Sequence, residues 1–142
     1  MLLCEIFAPT FYLGSHTSLS GKVTRHDLRI DVHPRHNGVE VVLERARPAY
    51  CLSRSQCVLL ADNRDGVAKL GMPVQHLYQA EPVGDVQRSD VGWWRMIADA
   101  LARVKQERSE GIAEWAAQYW DGSECPHTSP TWEYRAAAVL IG

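Results

Sequence analysis

Three short segments hold most of the residues suited to polar chemistry: Phe11-Tyr12-Leu13-Gly14-Ser15-His16, Leu52-Ser53-Arg54-Ser55 and Trp132-Glu133-Tyr134. They supply an imidazole, a guanidinium and a carboxylate, each beside hydroxyls or aromatic rings, and no two are neighbours in the chain. A shared site would have to be assembled by the fold. The local motifs of commoner chemistries are absent, with no G-x-S-x-G, no P-loop and no G-x-G-x-x-G. Asp121, Glu124 and Glu133 offer carboxylates for glycoside hydrolysis, but that reaction needs a set separation that sequence does not supply. Cys51, Cys57, Cys125 and His127 lack the C-x-x-C and H-x-x-x-H spacings of a zinc site, so no metal is expected and free thiols are the simpler reading.

Each candidate also has a purely structural role open to it. Glu133 can be a solvent-facing residue between two core aromatics, Arg54 the partner of a local carboxylate, and His16 a polar loop residue. Tyr12 and Tyr78 can be core aromatics, and Trp93, Trp94, Trp115 and Trp120 fall at spacings that suit helix packing.

The surrounding chain bounds the possibilities. Its 142 residues suit one domain spanning 1–142, and 46% apolar with 23% charged residues leaves no composition for a long disordered tail. A net charge of −2 gives no general attraction for a polyphosphate backbone, so nucleic acid is not the expected partner. The basic residues between 22 and 47 are interleaved with Asp27, Asp31, Glu40 and Glu44. No apolar run approaches the ~20 residues of a membrane span, and the opening residues lack the pattern of an export signal. A cytoplasmic protein with reduced cysteines is expected.

The elements that must position the three segments follow from periodicity. Residues 4–13 read as a first strand entering a polar loop at Gly14-Ser15, and residues 22–32 as a second strand ended by His33-Pro34. Val39, Val42, Leu43 and Ala46 predict a short amphipathic helix with Glu40, Glu44, Arg45 and Arg47 facing away, stopped by Pro48. A brief strand at 49–52 and a helix capped by Ser53 and carrying Cys57, Val58, Leu60 and Ala61 should follow, then a turn at 63–66. Residues 75–80 read as a strand. From a cap at Ser89 or Asp90, the spacing of Val91, Trp94, Ile97, Ala98, Leu101 and Val104 predicts a helix to about Arg108. Ser109 caps a second helix bearing Ile112, Trp115, Ala116 and Tyr119, and Asp121-Gly122 closes this αα-hairpin. Residues 131–141 form a last strand. The fold class is α+β with mixed or antiparallel sheets.

Taken in order, the three segments resemble the ADP-ribosyltransferase superfamily. That family places an aromatic strand with a Gly-Ser/Thr turn first, a Ser- or Tyr-led strand in the middle and a catalytic Glu late. Leu77-Tyr78-Gln79-Ala80-Glu81-Pro82 is similar to a segment of the rifampin-type and phage-encoded members, so the likeness runs from Phe11 to Val139. It implies NAD as substrate and Glu133 as the carboxylate that stabilises the ribose cation and holds its 2′-hydroxyl. It also implies Tyr12 or Tyr78 on nicotinamide, Arg54 on the pyrophosphate, and Gly14, Ser15, His16 and Ser53 lining the cofactor site, with an acceptor expected to be a protein. The position before Gly14, where the family has Arg or His, is Leu13. Either His16 or Arg54 makes the nicotinamide-ribose contact, or NAD binding is lost. The competing reading is a non-enzymatic protein that binds and inhibits a host or foreign protein through Trp93, Trp120 and residues 25–35.

Overall fold

The computed structural model describes residues 10–28, 37–103 and 109–142. Among the described residues, seven strands and four α-helices make an α+β fold in which both sheets are antiparallel. The expected fold class holds, with no parallel pairing among the described strands.

The four-stranded sheet runs β1 (Phe11–Ser15), β4 (His76–Val83), β7 (Ala138–Ile141) and β2 (Gly21–Thr24). Its register sets Phe11 opposite Ala80, Leu13 opposite Tyr78 and Val23 opposite Val139. These side chains therefore share one face, because strand side chains alternate. Phe11, Leu13, Val23, Ala80, Val139 and Ile141 form a core there with Val58, Leu60 and Ala136 of the second sheet. That second sheet runs β3 (Val58–Leu60), β6 (Trp132–Ala136) and β5 (Gln87–Asp90). One backbone bridge joins the two: Tyr12 N donates to Ala61 O at 2.8 Å, and Ala61 N to Tyr12 O at 3.0 Å.

The last predicted strand is in fact two strands in different sheets, parted at Ala137. Burial explains the break, since Arg135 and Ala136 are both buried, Ala137 is exposed, and Ala138 and Val139 are both buried. The alternation slips by one residue, and three successive alanines let the backbone turn there with little steric cost.

The helices form a second apolar layer. In α1 (Asn37–Ala46), α3 (Val91–Arg103) and α4 (Ser109–Asp121), Val39, Leu43, Ile97, Ile112, Ala116, Tyr119 and Trp120 pack into one cluster. Asp90 caps α3 as expected: its carboxylate accepts from Gly92 N at 2.9 Å, and also from Cys125 N at 2.8 Å and Thr131 N at 3.3 Å. It thereby ties the loop after α4 to the start of α3. Gly122, at φ 76°, ends α4 in the left-handed region that favours glycine. The αα-hairpin matches the expectation except at residues 104–108, which lie outside the described set.

Several local expectations are corrected. The helix predicted after Ser53 is β3, a strand pairing Val58 with Ala136 and Leu60 with Tyr134. A short apolar run fits either period, and here the vacant edge of β6 decides. The real helix, α2 (Arg64–Lys69), begins where a turn was expected, because Asn63 Oδ1 accepts from Gly66 N at 2.6 Å. Residues 49–52 are a turn, with Cys51 N bonded to Pro48 O at 3.0 Å. The second strand stops at Thr24, whose N–H donates to Asp27 at 2.8 Å as the chain enters a 3-10 turn. The rest of that expected strand from residue 29, and residues 4–9 of the first, lie outside the described residues.

Candidate functional site

Strand β6 is central in its sheet, so both of its hydrogen-bonding edges are paired. Glu133 and Arg135, two residues apart, project from the same face, and both are buried, at 3% and 1% exposure. Opposite them is the last turn of α4, which delivers the fully buried Tyr119. The segment leading into β3 brings Arg54 from a third direction.

These groups close into one network. Glu133 Oε1 accepts hydrogen bonds from Arg54 Nη1 and from the Tyr119 hydroxyl. The same hydroxyl accepts from Arg54 at 3.0 Å and from Arg135 at 3.1 Å, so its one proton and both lone pairs are used. Arg135 also donates to Ser89 Oγ at 2.8 Å, stands 3.9 Å from Glu133, and packs 4.9 Å from the Trp120 ring centroid. At the outer edge Arg54 Nε reaches both oxygens of Glu40 at 3.1 Å. Two guanidiniums and two carboxylates balance. Desolvation alone would push the Arg54 guanidinium down, but Glu133, Tyr119 and Glu40 outweigh it and hold Arg54 well above the ordinary arginine value. Burial pushes the Tyr119 phenol up, which keeps its proton in place to donate to Glu133.

A cleft of about 420 Å³ opens beside this network, lined by Glu40, Val41, Leu43 and Glu44 of α1 together with Arg54, Ser55 and Trp120. Glu44 is exposed, as its helix periodicity suggested, while Glu40 is half-buried against Arg54. Glu44 accepts from Ser53 Oγ and from Arg47 Nε, both at 2.9 Å.

The other predicted site residues lie on the four-stranded sheet. Tyr12 is half-buried, with the Arg64 guanidinium 5.7 Å from its ring centroid. Gly14 is inside β1 and not at a turn, and the strand continues through Ser15. A Cβ on Gly14 would stand 2.0 Å from Pro73 O and 2.7 Å from Val67, so close packing by the chain after α2 accounts for the glycine. Ser15 is buried and its Oγ accepts from Thr17 N at 3.1 Å. His16 is exposed just past the strand. The Tyr78 hydroxyl accepts from Leu19 N at 2.9 Å, and its ring stacks on His76 beside a depression of about 580 Å³. Leu13 is buried in the sheet core.

Two of the three segments thus meet. Arg54 and Glu133 are in contact, with Ser53 on the adjoining carboxylate, while no hydrogen bond or ion pair joins them to Tyr12, Gly14, Ser15, His16 or Tyr78 among the described residues. Glu133 is not a solvent-facing residue. Sequence reasoning missed Tyr119, taken as part of an apolar helix face, and Arg135 and Ser89. The available signal was parity, since a charge two residues from Glu133 on a central strand shares its buried face. Trp93 and Trp120 are buried, their indole N–H groups donating to Ser123 O at 2.9 Å and Leu43 O at 2.8 Å. Neither ring is exposed, and residues 29–35 of the segment grouped with them lie outside the described residues. The three described cysteines are buried and unpaired. No described helix is long and apolar enough to cross a membrane.

No protein-family model and no curated protein matches this chain.

Proposed function

We propose that the protein transfers ADP-ribose from NAD to an acceptor, with Glu133 as the catalytic carboxylate and Arg54 as the diphosphate contact. The supporting observation is that these two residues, 79 apart in the chain, meet beside a cleft. The order of motifs along the chain adds to it.

In this reading the bond between ribose C1′ and the nicotinamide nitrogen breaks, its electron pair leaving with neutral nicotinamide. The acceptor nucleophile then bonds to C1′ and gives up its proton. The positive charge that develops on the ribose is what a fixed carboxylate stabilises, provided the carboxylate is held by dipoles and charges that need not reorganise. Arg54, Arg135 and Tyr119 hold Glu133 in that way. Arg54 and Tyr119 both donate to Oε1, which leaves Oε2 as the acceptor for the ribose 2′-hydroxyl.

The test uses Glu133→Gln, which retains an acceptor at the same position. Wild-type protein should bind NAD saturably by calorimetry and release nicotinamide when a lysate supplies acceptors. Glu133→Gln should lower the release rate by about 10²-fold or more with little change in NAD affinity, since the charge acts mainly in the transition state. Absence of binding at millimolar NAD would remove the transferase reading.

A further inference from the structure

We infer that the cleft between α1 and Arg54 is a diphosphate subsite whose affinity is set by Glu40, a built-in competitor already seated on the Arg54 guanidinium. The inference rests on the transferase reading for the identity of its ligand, but its geometry does not.

Arg54 divides its donors between an inner and an outer carboxylate. Nη1 points inward to Glu133, whose side chain is 4% exposed, and Nε points to Glu40, whose side chain is 32% exposed. Only the second pair meets the cleft, because Glu40 and Arg54 both line it and Glu133 does not. An anion entering from solvent can therefore displace the partly exposed Glu40 from Arg54 at less desolvation cost than the buried Glu133. Both Glu40 oxygens lie at 3.1 Å from Nε, where oxygens of a bound diphosphate would lie. Among the described residues that line the cleft, Arg54 is the one cation.

The same wall carries Glu44, so two carboxylates repel an incoming anion and one guanidinium attracts it. Glu44 is engaged elsewhere, with Ser53 and Arg47. Of the two cleft carboxylates Glu40 is the one that sits on the guanidinium, and Trp94 Nε1 also donates to it at 3.3 Å. Displacing it leaves the Arg54–Glu133–Tyr119 contacts intact and gives the ligand a donor already aimed at it. The fold thus makes anion binding weak until Glu40 moves.

The experiment is calorimetry on the full chain with inorganic pyrophosphate and with ADP-ribose, comparing wild type, Glu40→Gln, Glu40→Ala and Glu44→Gln. Each Glu40 variant should bind both ligands about fivefold to tenfold more tightly, with a steeper loss of affinity on adding salt, while Glu44→Gln changes affinity less than twofold. Equal or weaker binding by both Glu40 variants overturns the inference, as does an equal gain in Glu44→Gln, which would reduce the effect to net charge. Absence of pyrophosphate binding in all four proteins also overturns it. Nicotinamide release is measured on the same samples. Tighter pyrophosphate binding without any release leaves the subsite standing and removes the transferase reading. Glu133-dependent release with no Glu40 effect does the reverse.

Discussion

Removing the Glu133 carboxylate should be among the most damaging single changes in this protein, and it should damage stability independently of any activity. In Glu133→Ala, Arg54 and Arg135 remain buried with only Glu40 to oppose them, and the Tyr119 proton loses its acceptor. Breaking a buried pair by deleting one partner costs about 3–5 kcal/mol, because a charge is left without compensation in a desolvated site. At about 3 °C per kcal/mol for a chain of this size, the melting temperature should fall by about 10 °C or more. Glu133→Gln keeps an acceptor for Tyr119 and should lose about half as much. The double variant Arg54→Met, Glu133→Leu removes both members of the pair and should recover much of the loss. Thermal melts followed by circular dichroism, backed by urea midpoints, measure all three. If Glu133→Ala lies within about 1 kcal/mol of wild type, the carboxylate is solvated in solution and the closed network described here is wrong. The same numbers govern the transfer assay, since a rate measured on Glu133→Ala near its melting point would report unfolding and not chemistry.

Two further outcomes follow from packing and burial. Gly14→Ala should destabilise by about 3 kcal/mol, seen as a lowered urea midpoint with unchanged slope, because its methyl would meet the Pro73 carbonyl, a backbone atom unable to rotate away. Burial raises the Cys57 thiol from 9.0 to about 11, so the folded state keeps a proton that the unfolded chain releases. The stabilisation from this group is full below pH 9 and lost as pH rises toward 11. Between pH 8 and pH 10 wild type should lose about 1 kcal/mol more stability than Cys57→Ala, and identical pH profiles would refute the assignment.

How much of this was legible in the sequence depended on whether local pattern or tertiary pairing decided each element. The helices α1, α3 and α4 were readable because their apolar spacing admits one period, and β4 because prolines flank the run 75–80, although the strand continues through Pro82 to Val83. Val58-Leu59-Leu60 was not, because three apolar residues satisfy a helix or a buried strand equally, and only the open edge of β6 selects the latter. The split of the last strand was hidden for the opposite reason: alanines suit either side of a bend. Of the site, Glu133 and Arg54 were visible as residue types that could do chemistry. Tyr119 was invisible because an aromatic on the apolar face of a helix reads as core, and its ring does pack in the helix layer while only the hydroxyl reaches the charges. Gly14 was visible but assigned the wrong cause, since the need for close approach and the need for a turn leave the same residue in the sequence.

The placement of the network has a consequence for any chemistry carried out there. One apolar cluster lies among the helices, the other between the two sheets, and of the buried charged residues among those described, Glu133 and Arg135 lie where α4 meets β6 while Asp90 caps α3. Glu133 therefore orients the helical layer on the sheet through Oε1, with the same carboxylate that would engage a substrate. Arg54 is suited to admit a ligand because it holds one carboxylate inside and one at the cleft, and releasing the outer one leaves the inner one paired. A substrate that brings both an anion for Arg54 and a hydroxyl for Glu133 can enter without leaving any buried charge alone at any step. Pyrophosphate brings only the anion and gains the Arg54 contact alone, so it should bind more weakly than ADP-ribose, which carries both.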